Sequence, residues 1–124
     1  MAKTVIVNPE TSAQARRFLD GSHRSVAILP SAAIGWGEYL PGWRWSEHAG
    51  KQTGKPSEAH IGYVVSGQMG IQSAEGQQMV VRPGDAFEIG AGHDAWVIGD
   101  RPCIALDFEP IGLHGRRAME EWKV

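Results

Sequence analysis

Glycine and proline divide this chain into short apolar segments. The 124 residues include 16 Gly and 7 Pro, and these residues recur between apolar runs that are too short for helices. Short apolar runs bounded by turn-forming residues are typical of β-strands joined by tight turns, and runs that repeat about every ten residues occur in sandwiches and barrels. The pattern therefore predicts a mostly β domain.

Several segments have the length and composition of strands. They are residues 26–29, 61–66, 69–71, 79–81, 86–89, 95–98 and 103–108. Short helical segments are expected only near the termini, at residues 13–19 and at residues 116–123, where Trp122 lies on the apolar side. We expect an all-β barrel of two antiparallel sheets, with its core at about residues 26–108 in a single domain of residues 1–124.

Glycines at three places predict the turns between these strands. Gly67 is expected to take the positive φ of a two-residue hairpin loop, so the strands before and after it are predicted to pair. Gly76 repeats this pattern in the next turn. In the third turn Pro83 presets φ and Gly84 supplies the left-handed conformation.

The charge balance argues against two classes of partner. The formal net charge is -2, and the basic residues are scattered, so the chain lacks the basic surface that binds nucleic acid or an anionic membrane. The apolar run at residues 5–7 is too short for a signal peptide or a membrane span. We therefore expect a cytoplasmic protein with no nucleic-acid or membrane partner.

Cys103 is the only cysteine in the chain. A single cysteine forms no intrachain disulfide. Because it lies inside the apolar run at residues 102–106, we interpret it as a small buried hydrophobic residue.

Two motifs between residues 42 and 108 resemble those of the cupin superfamily. In the first motif, Gly42 and His48 match the glycine and the first histidine, and six residues separate His60 from Gly67. His60 stands where the family has a glutamate. The second motif resembles residues 84–93, which have the Gly-Asp and Gly-x-Gly framework. The resemblance implies a jelly-roll barrel that holds its functional site inside.

The chain also departs from the family pattern. Gly50 and Ala95 stand at positions where the family places metal-binding histidines, and Gly90 replaces the usual proline. Residues 49–59 are inserted. The resemblance therefore implies only some of the family's metal-binding residues in this chain.

The candidate metal ligands are His48, His60 and His93. His48 and His60 lie at ligand positions of the motif, and His93 is inferred because residues 93 and 95 of one strand face the same side. Three imidazoles would hold a divalent transition metal, with Fe, Mn, Ni, Cu and Zn all open, and leave coordination positions for water or substrate. Glu47 or Glu58 is the expected fourth partner.

The same region supplies candidate residues for contact with a substrate. They are Trp45, Glu47, Glu58, Tyr63 and Trp96. Each candidate has a structural alternative, because a lone histidine is often half-buried and hydrogen-bonded, and aromatic residues in a small barrel often fill the core. His23 and His114 lie outside the motifs and are expected at the surface.

Two functions remain open from the sequence. One is a metal-dependent enzyme on a small organic substrate, by resemblance a dioxygenase, an isomerase or a related oxidoreductase. The other is a metal-free module that binds or senses a small ligand, because one fold hosts many functions. A homodimer is expected in either case, since the aromatic segment at residues 36–45 offers more apolar area than one small barrel needs to bury.

Overall fold

The computed structural model describes residues 4–110. Nearly half of these residues form nine strands. In chain order they are β1 (Ala15–Arg17), β2 (His23–Ile28), β3 (Ala32–Tyr39), β4 (His60–Ser66), β5 (Gln68–Gln72), β6 (Gln78–Val81), β7 (Ala86–Ile89), β8 (Asp94–Ile98) and β9 (Cys103–Pro110). The helical segments are short: a 3-10 helix at Pro9–Thr11, a π-helix at Trp45–Gly50 and an α-helical turn, α1, at Lys51–Thr53.

The strands form two antiparallel sheets, as the sequence predicts. The larger sheet has the order β1-β2-β3-β9-β4-β7, and the smaller sheet has the order β6-β5-β8. Along β3, β8 and β9 buried and half-buried residues alternate, so one face of each strand points to the core. The core lies between the two sheets.

Strand register places two glycines in one row with Asp107 and Phe87 on the inner face of the larger sheet. Asp107 of β9 pairs with Gly35 of β3 on one side and with Gly62 of β4 on the other. Gly62 in turn pairs with Phe87 of β7. Because Gly35 and Gly62 have no side chain, the side chains of Asp107 and Phe87 lie close over them.

Aromatic and aliphatic side chains fill the rest of the core. The rings of Tyr39 and Trp43 lie 4.5 Å apart between centroids, and Phe18 packs against both. Cys103 is fully buried, and burial raises the pKa of its thiol to about 11. Cys103 is therefore a core residue, as predicted, and its thiol stays protonated at neutral pH.

One predicted turn is confirmed as a hairpin, and one is not. Gly76 has φ +93° and connects β5 to β6, which pair. Gly67 also has positive φ, at +76°, but the predicted pairing across it is wrong, because β4 and β5 belong to different sheets. A side chain at Gly67 would clash with the backbone of Pro102 and Cys103, so this glycine lets the chain pass closely from one sheet to the other.

Two further strands differ from the sequence expectation. The predicted helical turn at residues 13–19 is wrong, because Ala15–Arg17 is a strand that pairs with β2. Ala32–Tyr39 was not predicted as a strand, yet it lies between β2 and β9 in the larger sheet. The predicted helix at residues 116–123, with Trp122, and His114 lie outside the described residues. Across residues 4–110, no helix is long and apolar enough to cross a membrane.

Candidate functional site

A cavity of about 70 Å³ lies between the two sheets. This volume exceeds the roughly 10–15 Å³ that one water molecule needs. Most of its wall is apolar, and the larger apolar residues include Trp43, Trp45, Met69, Ile71, Phe87 and Ile89. The polar groups of the wall fall into two sets, one that contains two histidines and one that contains a buried ion pair.

His60 and His93 form the first polar set. Their ring centroids are 5.1 Å apart and their planes meet at 70°. His60 opens β4 on the inner face, and His93 stands just before β8 on the face that Ala95 and Val97 also bury. The predicted inward direction of His93 is therefore confirmed by its burial, at 5% exposed.

The backbone fixes the proton on the His93 ring. Nδ1 lies 3.0 Å from the carbonyl oxygen of Gly90, and because a carbonyl only accepts hydrogen bonds, Nδ1 carries the proton. Nε2 is then the lone-pair nitrogen of the neutral ring. Burial, and secondarily the nearby His60, lower the pKa of His93 below its ordinary value, so the neutral ring predominates at neutral pH.

Ser57 ties the inserted segment to this histidine. Its hydroxyl donates to the carbonyl oxygen of His93 at 2.6 Å and lies 3.2 Å from Nδ1. The backbone N–H of Gly92 donates to the carbonyl of Ser57 at 3.0 Å. Since Ser57 is 3% exposed, these bonds hold the His93 backbone and ring in one place.

Arg24 and Asp107 form the second polar set. Nε of Arg24 donates to Oδ2 at 2.9 Å, and Nη2 donates to Oδ1 at 2.5 Å, so the pair is bidentate. The two residues are 4% and 9% exposed. The guanidinium reaches Asp107 across Gly35, where a side chain would occupy the same space. The hydroxyl-bearing ring of Tyr39 also lines this part of the wall.

His48 does not join the other two histidines. It lies in the π-helix, and its Nδ1 accepts a hydrogen bond from the backbone N–H of Arg44 at 3.0 Å. The π-helix turns the His48 ring back towards the N-terminal end of this helix, where Arg44 lies. His48 is not part of the cavity wall, so the expected convergence of three imidazoles is not formed.

The other predicted site residues divide between the cavity and the surface. Trp45 and Glu58 line the cavity, and because Glu58 is exposed it lies at the mouth. Glu47 is exposed and lies away from the cavity wall. Tyr63 points to the outer face of β4 and is 40% exposed. Trp96 packs under the guanidinium of Arg44, with 4.6 Å from the guanidinium carbon to the ring centroid.

Asp94 anchors the π-helix to β8. Its carboxylate accepts hydrogen bonds from the backbone N–H and hydroxyl of Ser46, both at 2.9 Å, and from Arg44 at 3.0 Å. Partial burial acts to raise the pKa of Asp94, but these hydrogen bonds outweigh it and the pKa lies below its ordinary value. Asp94 was not among the residues predicted for the site, yet its carboxylate positions the segment that carries Trp45.

Sequence reasoning also missed Arg24, Tyr39, Ser57 and Asp107. One signal was present for Asp107, a lone charged residue inside the predicted apolar strand at residues 103–108. It has the same parity as Cys103 and Ala105, which face the core. A charge on the buried face of a strand indicates a buried partner, and here the partner is Arg24.

Comparison with known proteins identifies the fold. Residues 43–98 match the EutQ-like cupin domain. KdgF from Halomonas sp. has a TM-score of 0.61 and 22% sequence identity, covering 91% of this chain and 98% of that chain. An RmlC-like cupin from Shewanella frigidimarina has a TM-score of 0.61 and 15% identity, covering 87% and 91%. The polyketide cyclase RemF from Streptomyces resistomycificus has a TM-score of 0.58 and 18% identity, covering 87% and 80%.

These similarities bear on architecture. All three identities lie below 25%, so the solved structures establish the shared fold and leave the activity of this chain to its own residues. No curated protein matches the sequence. The predicted jelly-roll architecture is confirmed.

Proposed function

We propose that this chain, which belongs to the cupin superfamily, binds a small organic molecule in the cavity between its sheets and exchanges a proton with it through His60 and His93. The observation that supports this function is the position of the two imidazoles, 5.1 Å apart between ring centroids, on the wall of an apolar cavity. Apolar cavities with a few convergent polar groups are the usual form of small-molecule sites.

His93 has the features of a general base. Its Nδ1 proton is donated to Gly90, which leaves Nε2 to accept a proton. Burial keeps the ring neutral at neutral pH by lowering its pKa. His60, whose Nδ1 lies 3.3 Å from the carbonyl oxygen of Glu58, is the second imidazole, and the proton that His93 takes up passes through it back to the substrate. An isomerase-like reaction on a small organic substrate follows from this arrangement.

The side chains at this cavity do not fit a metal centre. Catalytic zinc sites use three protein ligands, whereas this cavity offers two imidazoles. The Glu58 carboxylate is exposed at the mouth, and the Asp107 carboxylate is bound to Arg24. In the part of the chain from Thr4 to Pro110, no group of three or more His, Cys, Asp or Glu side chains is arranged to hold a metal ion. The divalent metal expected from the family resemblance therefore has no step in the proposed mechanism.

Metal analysis tests this point directly. Protein purified without a His-tag is expected to hold well under one equivalent of Fe, Mn, Ni, Cu or Zn, because two imidazoles bind such ions weakly. Elemental analysis of the wild type and of His60→Ala is the measurement. One tightly held equivalent that disappears in His60→Ala would contradict the metal-free mechanism.

Cyclohexanone, a small ketone, tests ligand binding in the cavity. We expect it to shift the methyl NMR signals of Met69, Ile71 and Ile89, which line the cavity. Ala95→Leu places a larger side chain in the cavity wall and is expected to weaken binding about tenfold or more. Ala74→Leu, in an exposed turn, is the matched control. If no cavity methyl responds, the proposed binding site is wrong.

Proton transfer is tested separately by exchange of the ketone's α-protons in D2O. The wild type is expected to accelerate exchange, and His93→Gln is expected to lose that acceleration because its amide does not accept the proton. Binding without acceleration would support the alternative function, a binding or sensing module without catalysis.

The proposal includes three expectations from the sequence. The chain is one domain over residues 1–124, it works as a homodimer, and it is located in the cytoplasm. The single cysteine, Cys103, is compatible with a reducing compartment.

A further inference from the structure

The buried ion pair lies on the wall of the ligand cavity. Arg24 and Asp107 are nearly enclosed, and both line the same cavity as His60 and His93. Burial of two charges costs free energy that their attraction offsets only with good geometry, so apolar side chains often stabilise a core equally well. We therefore expect the ion pair at this place to have a role besides filling the core.

Tyr39 adds a hydrogen-bond donor beside this pair. The residue is 8% exposed, and no residue between Thr4 and Pro110 forms a hydrogen bond with its hydroxyl. The hydroxyl end of the ring lies over Gly37, where a side chain would collide with it. Gly37 pairs with Arg24 across β2 and β3, so the hydroxyl lies close to the guanidinium. Burial raises the pKa of Tyr39, so the hydroxyl stays protonated and can donate.

The Tyr39 hydroxyl borders the open space of the cavity, because Tyr39 lines the wall and its hydroxyl is not among the fully buried polar atoms that lack a partner. A molecule in the cavity can therefore reach it. Nε1 of the neighbouring Trp43 is fully buried without a partner among the described residues. A ligand oxygen in the cavity supplies an acceptor for the Tyr39 hydroxyl.

We infer that Tyr39, held beside the Arg24–Asp107 pair, donates a hydrogen bond to a carbonyl oxygen of the ligand. This inference rests on the proposed function and names its substrate class, a small uncharged carbonyl compound with an apolar body. Arg24 and Asp107 are positioning residues, because together they fix the polar end of the cavity where the oxygen lies.

The charges of this end favour an uncharged oxygen over a carboxylate. The guanidinium of Arg24 is neutralised by Asp107 at hydrogen-bonding distance, and Tyr39 is neutral. A buried carboxylate would therefore add an uncompensated negative charge, which is expensive in an apolar cavity. A carbonyl oxygen only accepts hydrogen bonds, and it matches the donor that Tyr39 presents.

A carbonyl group in the ligand is consistent with the proposed proton transfer at His60 and His93, the first polar set. When the C–H bond next to the carbonyl breaks, its proton passes to Nε2 of His93. The electron pair moves towards the carbonyl oxygen, and the resulting enolate oxygen accepts the hydrogen bond from Tyr39. A donor aimed at the atom where charge develops accelerates such a step. Return of the proton to a carbon atom completes the reaction without any other reactant.

Two probes of the same shape test the inference. Cyclohexanone carries a carbonyl oxygen, and methylenecyclohexane carries a CH2 group in its place. Both are titrated against the full-length protein, with the methyl signals of Met69 and Ile71 as the readout. The variant is Tyr39→Phe, and the matched control is Tyr63→Phe, the other tyrosine of the chain, on the outer face of β4.

The wild type and Tyr63→Phe are expected to bind the ketone more tightly than the hydrocarbon. In Tyr39→Phe the ratio of the two dissociation constants is expected to shift about tenfold towards the hydrocarbon, because the loss of one hydrogen bond has about this effect. Equal shifts of preference in both variants, or a ketone preference that survives in Tyr39→Phe, would overturn the carbonyl assignment while leaving ligand binding in place. If neither probe moves the cavity methyls of the folded wild type, the proposed function itself fails.

Discussion

At the scale of single residues, His93 gives the clearest dependence on pH. Burial, and then the nearby His60, lower its pKa. The unfolded chain therefore takes up this proton at a higher pH than the folded protein, and folding stability falls as the pH drops below about 6.5. We expect the NMR titration midpoint of the His93 ring below 6.5, and a smaller unfolding free energy at pH 5 than at pH 7 that His93→Gln partly removes. A midpoint at or above 6.5 would contradict the buried, neutral ring.

Gly35 shows how a missing side chain shapes the cavity. A Cβ at Gly35 would lie 2.5 Å from Oδ1 of Asp107 and 2.6 Å from Nη2 of Arg24, so Gly35→Ala forces the ion pair apart. We expect a loss of about 3 kcal/mol in unfolding free energy. Gly90→Ala is the control, because no atom lies within 4 Å of the added carbon. Urea denaturation measures both, and equal stabilities of the two variants would refute the crowding argument.

Part of the site was predictable at this scale. Alternation along an extended chain was enough to place His93 on the inner face, because residues 93 and 95 then point to the same side. His48 was not placed correctly, because its position depends on the π-helix at Trp45–Gly50, a rare element without a sequence signal. The pairing of Arg24 with Asp107 joins residues 83 positions apart, and local patterns carry no information on such a contact.

At the scale of elements, the π-helix depends on its anchor in β8. Asp94 holds Ser46 and Arg44 through three hydrogen bonds. Asp94→Ala is expected to cost about 1 kcal/mol, because the carboxylate is partly exposed, and to broaden the NMR signals of residues 44–48. Ser46→Ala, which keeps the Arg44 contact, is expected to have a smaller effect. A variant as stable and as ordered as the wild type would show that Asp94 is no anchor.

The contribution of Asp94 to the unfolding free energy also depends on pH. Since the folded pKa of Asp94 lies below its ordinary value of 3.8, its contribution is fully present above about pH 5 and is lost as the pH falls below 3.8 through the folded pKa. We expect Asp94→Ala to differ from the wild type in unfolding free energy at pH 6 and to approach it at about pH 2. Urea denaturation at both pH values is the measurement, and a constant difference would contradict the linkage.

Element positions were easier to predict than their pairing. Strands β4 to β9 were found because turn-forming residues bound each apolar run, but the turn at Gly67 shows that a positive φ does not decide whether flanking strands pair. There the chain leaves one sheet and enters the other. Strand β3 was missed because its inward positions include Gly35 and Gly37, which weaken the apolar pattern. Local propensity could not show that Gly35 makes room for Arg24 and Asp107 and that Gly37 makes room for the ring of Tyr39.

At the scale of the whole molecule, we expect a second copy to bind a different surface from the one that the sequence suggested. Tyr39 and Trp43, both within the aromatic segment at residues 36–45, are buried in the core, so they are not available for a dimer. The outer face of β4 instead exposes Ile61, Tyr63 and Val65, at 45%, 40% and 42%. Neighbouring strands extend this apolar surface, because Ile61 pairs with Phe108 and Tyr63 pairs with Leu106.

A homodimer through this outer face is the remaining prediction. Monomeric proteins rarely expose a continuous apolar surface on a regular sheet, and a two-fold dimer covers the same patch on both copies. Light scattering is expected to give a dimer at micromolar concentration, and Ile61→Lys with Val65→Lys is expected to give a folded monomer. Met79→Lys with Val80→Lys is the matched control, because these β6 residues are similarly exposed, at 43% and 38%, but lie on the smaller sheet. A wild-type monomer, or dissociation by the control pair alone, would remove this interface.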